Sequence, residues 1–193
     1  MMAPVKRSRV IPALALTAAL TLAGCSGVGA DPAVTVDGEE FSVAEVQEAA
    51  TQLNEVALNL EEPRQMYGRT NPQQVITDLA VLPVLDQIFV GTPAEMTEAQ
   101  LREFLGEHGV AEPGVGTLEV TRSREYQERL GDVAIMSDPA MAAVVGRAQE
   151  LLSSPDALEA VDVDVNPRYG SWDVVNGGLL PKVPEWIQSA DQR

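Results

Sequence analysis

Few residues in this 193-residue chain could carry chemistry: it has one cysteine, Cys25, and one histidine, His108. That inventory gives no His/Cys metal cluster and no sequence support for a Ser-His-Asp triad. His108 precedes Gly109 near a predicted helix C-terminus, where a histidine is a favourable cap for the helix dipole. We therefore predict a protein that is not an enzyme, with no catalytic residues, no metal and no cofactor.

Two groups of acidic residues suggest other chemistry. Asp162, Asp164 and Asn166, with Asp173 at the twelfth position, resemble a calcium-binding loop, but its sixth position requires glycine and holds Pro167. The valines between these acids favour a half-buried strand with one solvated face. Paired glutamates such as those at 39–40 leave a carboxylate-only activity as a distant third hypothesis, because the aromatic platforms typical of glycosidases are scarce.

Cys25 ends a segment with the order of a secretory leader. A basic stretch at 6–9 precedes an apolar run at 10–22, which is shorter than the roughly 20 residues that a membrane span needs. The tetrapeptide Leu22-Ala23-Gly24-Cys25 resembles the lipobox of bacterial lipoproteins. An ordinary cleaved signal with an incidental cysteine is the less favoured alternative, because a lone extracytoplasmic cysteine has no disulfide partner.

The lipobox resemblance implies that Cys25 becomes the lipid-bearing first residue of the mature protein. Two or more acyl chains, such as palmitate, hold a protein firmly on a bilayer. We thus expect a cell-membrane lipoprotein on the extracytoplasmic face, partnered with the membrane through the lipid on Cys25. The predicted organisation is a signal peptide over 1–24, the lipidated cysteine and a tether over 25–32, and one domain over 33–193.

The charge balance excludes one class of partner. The net charge is −16, and it becomes −19 without the leader, which holds three basic residues and no acidic ones. Nucleic-acid binding needs a basic surface, so we predict no nucleic-acid partner. The acids are scattered, which favours a role in solubility over a dedicated surface for basic partners.

The hydrophobic pattern predicts a mainly α fold with a small β element. Strand patterns at 33–36 and 161–165 bracket a helical middle, and the simplest fold pairs these terminal strands. A tight turn is expected at Asp37-Gly38, and Ser42 and Glu45 have the spacing of a capping box.

The most apolar predicted helix starts at Asn71-Pro72 and should be central, with Pro83 kinking it or ending it early. Thr97 and Gln100 form another predicted capping box before the next helix. A Gly/Pro loop is predicted at 111–116. A helix from about Thr121 to Met136 should follow the loop, with Val133 facing inward.

Two segments are candidate partner-binding surfaces. Met66 and Tyr67 form either an adaptable contact loop or a plug over the helix interface, and the sequence favours neither. Arg168, Tyr169 and Trp172 are residue types enriched in binding hot spots. The favoured alternative for this second group is that the two aromatic residues pack on the helices while Arg168 pairs with a carboxylate.

The two ends of the mature chain together resemble the amino-terminal domain of SurA-like extracytoplasmic chaperones. The resemblance rests on the leader, on Val34-Thr35-Val36-Asp37-Gly38-Glu39, on the helix start Phe41-Ser42-Val43-Ala44-Glu45-Val46, and on the closing segment Val163–Trp172. It implies a helical SurA-N-like domain, closed by pairing of its first and last strands, that holds extended client chains. The chain lacks room for a parvulin-type insert and the histidines of its chemistry, so isomerase activity is not implied.

Our leading functional hypothesis is therefore a membrane-anchored, non-catalytic chaperone for unfolded or secreted polypeptides. A shallow apolar groove around Pro83 and the Met66–Tyr67 loop would hold the clients. The alternative is a scaffolding lipoprotein that binds one folded envelope partner through Arg168, Tyr169 and Trp172.

Overall fold

The computed structural model describes residues 32–154, 157–175 and 177–181. Its fold is mainly helical, with small antiparallel sheets. The helices are α1 (Val43–Asn59), α2 (Pro72–Phe89), α3 (Glu98–Glu107), α4 (Val115–Gly131), α5 (Val133–Met136) and α6 (Ala142–Leu152). The strands are β1 (Pro32–Val36), β2 (Glu39–Ser42), β3 (Val163–Val165), β4 (Ser171–Asp173) and β5 (Gly178–Leu180).

The first sheet has the order β2-β1-β3 and pairs the first strand with a strand that follows α6, while β4 and β5 form a separate sheet. β1 and β2 form a hairpin through Asp37 (φ 48°) and Gly38 (φ 85°), the positive φ values that a tight hairpin turn requires. β3 pairs antiparallel with β1, with Thr35 opposite Asp164. The sequence predicts the segment 161–165 as a strand with one solvated face; the strand covers Val163–Val165, with Asp164 exposed and Val165 buried.

Both predicted capping boxes are present, and the predicted helix start at Asn71 adds a third. In each, the side chains of the first and fourth residues bond reciprocally to backbone N–H groups at the start of α1, α2 or α3. These bonds satisfy N–H groups that have no partner within the helix, which explains why the chain begins helices there. The pairs are Ser42–Glu45, Asn71–Gln74 and Thr97–Gln100.

α2 is the central helix, and it packs on α1, α4 and α6 and on the sheet. Its buried residues occupy most of its circumference, which agrees with the sequence prediction. The expectation that Pro83 ends the helix early is wrong: the helix continues to Phe89. Ile88 and Phe89 are fully buried beyond the proline, so packing outweighs the hydrogen bond that Pro83 cannot donate.

α4 corrects two other expectations. It begins at Val115, inside the predicted loop, because Gly114 adopts the extended conformation of an N-cap and the buried Leu118 packs on the core. It ends at Gly131, and the separate turn α5 leaves Val133 78% exposed instead of buried. Tyr126, in the part of α4 that overlaps the predicted helix, is fully buried and stacks on Phe89 with ring centres 4.1 Å apart.

Candidate functional site

An apolar groove of about 600 Å³ lies between α2, α4 and α6, and it is bordered by Ser154, by residues 157–159 and by residues 174–175 after β4. Gln127, Ser154 and Glu159 are its polar residues. The apolar residues are Val81, Val84, Leu85, Ile88, Leu130, Leu151, Ala157, Leu158, Val174 and Val175.

The groove exists because α2 is apolar on nearly every side. Ile88 is fully buried at the base, and Leu85 is buried beside it. Leu130 and Leu151 face the groove from α4 and α6 and are only partly buried. Val175 stands at its margin and is 87% exposed. A helix that is apolar on every side is stable in water only if other elements cover all of its sides. One side of α2 is covered incompletely, and the groove lies there.

The chemical character of the groove is that of an apolar binding surface. Its volume falls within the range of small-ligand sites, about 300–1,000 Å³. Aliphatic side chains dominate the lining. The groove can bury apolar groups by removing them from water, at about 25 cal/mol per Å².

The Met66–Tyr67 loop does not line this groove. Tyr67 is 3% exposed, and its hydroxyl donates a hydrogen bond to Glu125 Oε1 at 2.9 Å. Arg64 pairs with the same carboxylate at 2.9 Å and lies over the Tyr67 ring. Burial, reinforced by Glu125, raises the pKa of Tyr67 well above its usual value of 10.0, so its hydroxyl stays protonated.

The expectation that Tyr67 belongs to an exposed contact surface is therefore wrong, because its ring is buried between the loop and α3 and α4. Phe104 of α3 contacts that ring at 5.4 Å between centroids. Met66 is half-buried, and its backbone N–H bonds to Glu128 at 2.6 Å. Tyr67 therefore fits the alternative in which this segment fills the helix interface, because its contacts with Phe104 and Glu125 hold the loop against α3 and α4.

Below this loop lies a buried ion pair that the sequence did not reveal. Arg124 Nε donates to Asp78 Oδ2 at 2.8 Å, and its Nη1 donates to Thr70 Oγ1 at 2.9 Å. Burial raises the pKa of Asp78, against the opposing effect of Arg124. A charged residue inside a helix normally indicates a solvated face, so the only available signal was the position of Asp78 within the most apolar helix.

A smaller pocket of about 280 Å³ adjoins Pro83 on the sheet side of α2. Asp86 Oδ1 is buried there and has no hydrogen-bond partner within the described residues. Burial raises the pKa of Asp86, and it also raises the pKa of Glu119, to which Asp86 adds a like charge. Arg122 pairs with Glu119 at 2.7 Å. Pro83 itself thus lines a small acidic pocket, while its neighbours Val81, Val84 and Leu85 line the apolar groove.

The second candidate surface has a mixed outcome. Tyr169 and Trp172 are partly buried against the core, as the favoured alternative predicts. Arg168 is exposed, and its guanidinium lies 5.9 Å from the centre of the Tyr169 ring. Within the described part of the chain, Arg168 is not in the expected carboxylate ion pair. The exposed surface in this segment is therefore Arg168 together with the partly exposed Tyr169 and Trp172.

The remaining predicted sites are His108, the acidic strand and the lipobox. His108 is the C-cap of α3, and its Nδ1 donates to Phe104 O at 2.7 Å. Asp162 and Asp164 lie on the solvated face of the sheet, and within the described ranges no group of three metal-ligating side chains occurs. Leu22, Ala23, Gly24 and Cys25 lie outside the described residues.

Comparisons with known proteins add no relative. No family model, curated protein or solved structure matches the chain significantly. None of the helices in the described ranges combines the length and apolar character needed to cross a bilayer.

Proposed function

We propose that this protein is a membrane-anchored, extracytoplasmic chaperone-like lipoprotein that holds apolar segments of unfolded secreted chains. The observation that carries this proposal is the open apolar groove between α2, α4 and α6. Its aliphatic lining contacts side chains of many shapes, and burial of apolar area is not directional. The occupant that suits such a surface is a short run of apolar residues in an unfolded polypeptide.

The resemblance to SurA-like domains supports the same function from the sequence. The leader and the Leu22-Ala23-Gly24-Cys25 lipobox would place the domain at the outer face of the membrane, where secreted chains emerge unfolded. The strongly acidic surface would keep the loaded protein soluble and away from an anionic bilayer. No step of this function requires catalysis, a metal or a cofactor.

The test is suppression of aggregation of several unrelated unfolded proteins by the purified full-length protein at near-equal ratios, followed by light scattering. Leu151→Gln, which places an amide in the groove, should lower the apparent affinity at least three-fold for every client. Leu58→Gln is the matched control, because Leu58 lies on α1, is 86% exposed and does not line the groove.

Failure to suppress aggregation, by protein shown to be folded by circular dichroism, would overturn the proposal. Equal activity of Leu151→Gln and the wild-type protein would also overturn it, because the groove would then play no part. Equal loss in both leucine variants would point to general surface hydrophobicity rather than to a defined groove.

A second candidate function is scaffolding of one folded envelope protein, which the exposed Arg168 beside Tyr169 favours. Arg168→Ala separates the two functions. It should leave aggregation suppression unchanged if the groove binds clients. If the protein is a scaffold, the same variant should abolish cross-linking to a single partner in intact cells.

A further inference from the structure

The outer edge of β3 offers backbone groups for pairing. Asp37 N–H donates to Asp162 O at 2.8 Å, and Asn166 N–H donates to Ala33 O at 3.0 Å. In an antiparallel ladder such bonded positions alternate, so Asp164 also directs its backbone groups toward β1. The backbone N–H and C=O groups of Val163 and Val165 therefore point away from β1, toward the free side of β3. Within the described residues, the sheet has no strand beyond β3.

A cavity of about 460 Å³ runs beside this strand. All three residues of β3 line it, together with Gly170 and with Ser171 and Trp172 of β4. Trp172 is partly buried, so its ring forms part of the apolar wall of this cavity and stays partly open to an incoming side chain.

The solvated face of the same sheet is acidic. Asp164 and Glu40 lie on either side of Thr35 in one row across the sheet, and both are exposed. Asp162 and Asp37 are exposed at the end of the sheet. Side chains directly across from each other on one face interact, so a strand added beside β3 would meet these carboxylates on that face.

We propose that the β3 edge binds an extended polypeptide segment in which basic and apolar residues alternate. The segment adds a strand to the sheet: its backbone pairs with the outward groups of Val163 and Val165, and its basic side chains lie beside Asp162 and Asp164. Its apolar side chains enter the cavity at Trp172. The inference deepens the chaperone proposal and rests on it for the identity of the partner, since strand addition uses main-chain bonds that every unfolded chain can make.

The acidic face also disfavours pairing of this edge with a second copy. Two β3 edges brought together would place Asp162 and Asp164 against the same carboxylates of another molecule, and like charges opposite each other destabilise a strand pair. A basic segment reverses the sign of that interaction. Binding should therefore weaken as the salt concentration rises.

The experiment is a fluorescence titration of two labelled eight-residue peptides, one alternating Lys and Val and one alternating Glu and Val, with the full-length protein. The Lys–Val peptide should bind at least ten-fold more tightly. Val163→Pro removes an outward N–H and leaves the β1 ladder intact, so it should weaken binding at least ten-fold. The matched control is Val133→Pro at the first position of α5, where the missing N–H has no helical partner, and it should bind normally.

Asp164→Lys retains every backbone N–H group of the strand and reverses one charge. It therefore tests the proposal even if Val163→Pro does not fold. It should weaken binding of the Lys–Val peptide and strengthen binding of the Glu–Val peptide. Glu103→Lys, the same charge reversal at an exposed position on α3, is its control. Equal binding of both peptides to the wild-type protein, or an unchanged preference in Asp164→Lys, would overturn the proposal.

Absence of binding by the full-length protein would also overturn it. If a chain ending at Pro181 then binds, the natural occupant of the edge is the segment 182–193. If sedimentation shows a dimer that Val163→Pro dissociates, the occupant is a second copy. The aggregation assay tests the groove, and the peptide titration tests the β3 edge. If Leu151→Gln loses aggregation suppression but still binds the peptide, the two proposals concern separate surfaces.

Discussion

Replacement of Arg124 by methionine tests the buried polar contact between α2 and α4. The side chains of Arg124 and Asp78 are 4% and 9% exposed, and they form an ion pair at 2.8 Å. Arg124→Met removes the cation and leaves the Asp78 carboxylate buried. Breaking a buried pair from one side costs about 3–5 kcal/mol. For a chain of this size that loss lowers the melting temperature by about 6–20 °C.

The effect should depend on pH. Burial raises the pKa of Asp78 above its usual 3.8, and Arg124 opposes that rise. Without the arginine, the pKa of Asp78 in the folded state should be higher still. The folded protein then binds more protons than the unfolded chain at pH values above 3.8, so its stability falls as the pH rises. We expect a larger loss at pH 7.5 than at pH 4.5.

The assay is urea unfolding followed by circular dichroism at both pH values. Arg102→Met is the matched control, because Arg102 pairs with Glu98 on the exposed surface of α3. It should change the unfolding free energy by less than about 1 kcal/mol. Asp78→Leu in the Arg124→Met background should recover most of the lost unfolding free energy, because two apolar side chains fill the space of the ion pair without a buried charge. A loss below about 1 kcal/mol, or equal losses at both pH values, would refute a desolvated pair.

Further expectations concern the lipid and two local features. Cys25→Ser should move the protein from the membrane to the soluble fraction and remove the mass of the acyl chains; fractionation and intact-mass measurement check this, and membrane retention would contradict it. Asp86→Asn should raise stability by about 1 kcal/mol at pH 7.5, because a buried oxygen without a partner loses its charge; the gain should vanish in thermal unfolding at pH 3, where the aspartate is protonated. Gly109→Ala should cost about 1–2 kcal/mol in urea unfolding, since φ is 97° and the new Cβ would lie 2.6 Å from Asn59 Nδ2. Gly106→Ala, in open space within α3, should stabilise the helix instead.

Local signals predicted the elements well where one side chain acts on its own backbone. Ser42, Asn71 and Thr97 each begin a helix because the N–H groups that they satisfy lie within the next three residues. The turn at Asp37-Gly38 was predicted for the same reason, because its positive φ angles depend only on the residue types at these two positions. The period of two at 161–165 likewise predicted a strand with one solvated face.

Local signals failed where packing decided. A proline in a helix loses a hydrogen bond, but the buried residues beyond Pro83 keep α2 continuous to Phe89. Val133 fits a helical pattern, yet the chain leaves α4 at Gly131 and turns it outward. The groove was expected around Pro83 and the Met66–Tyr67 loop, but Tyr67 is buried between helices and does not line it.

The sequence by itself determined the mainly helical class, the helix starts at Ser42, Asn71 and Thr97, the strands near 33–36 and 163–165, and the prediction of a lipid-bearing Cys25, because each depends on neighbours along the chain. Only the tertiary structure decided which apolar side of α2 stays uncovered, that Arg124 meets Asp78, and that β3 presents an outer edge. These features join residues tens of positions apart. Their energies come from contacts between elements, which no local pattern encodes.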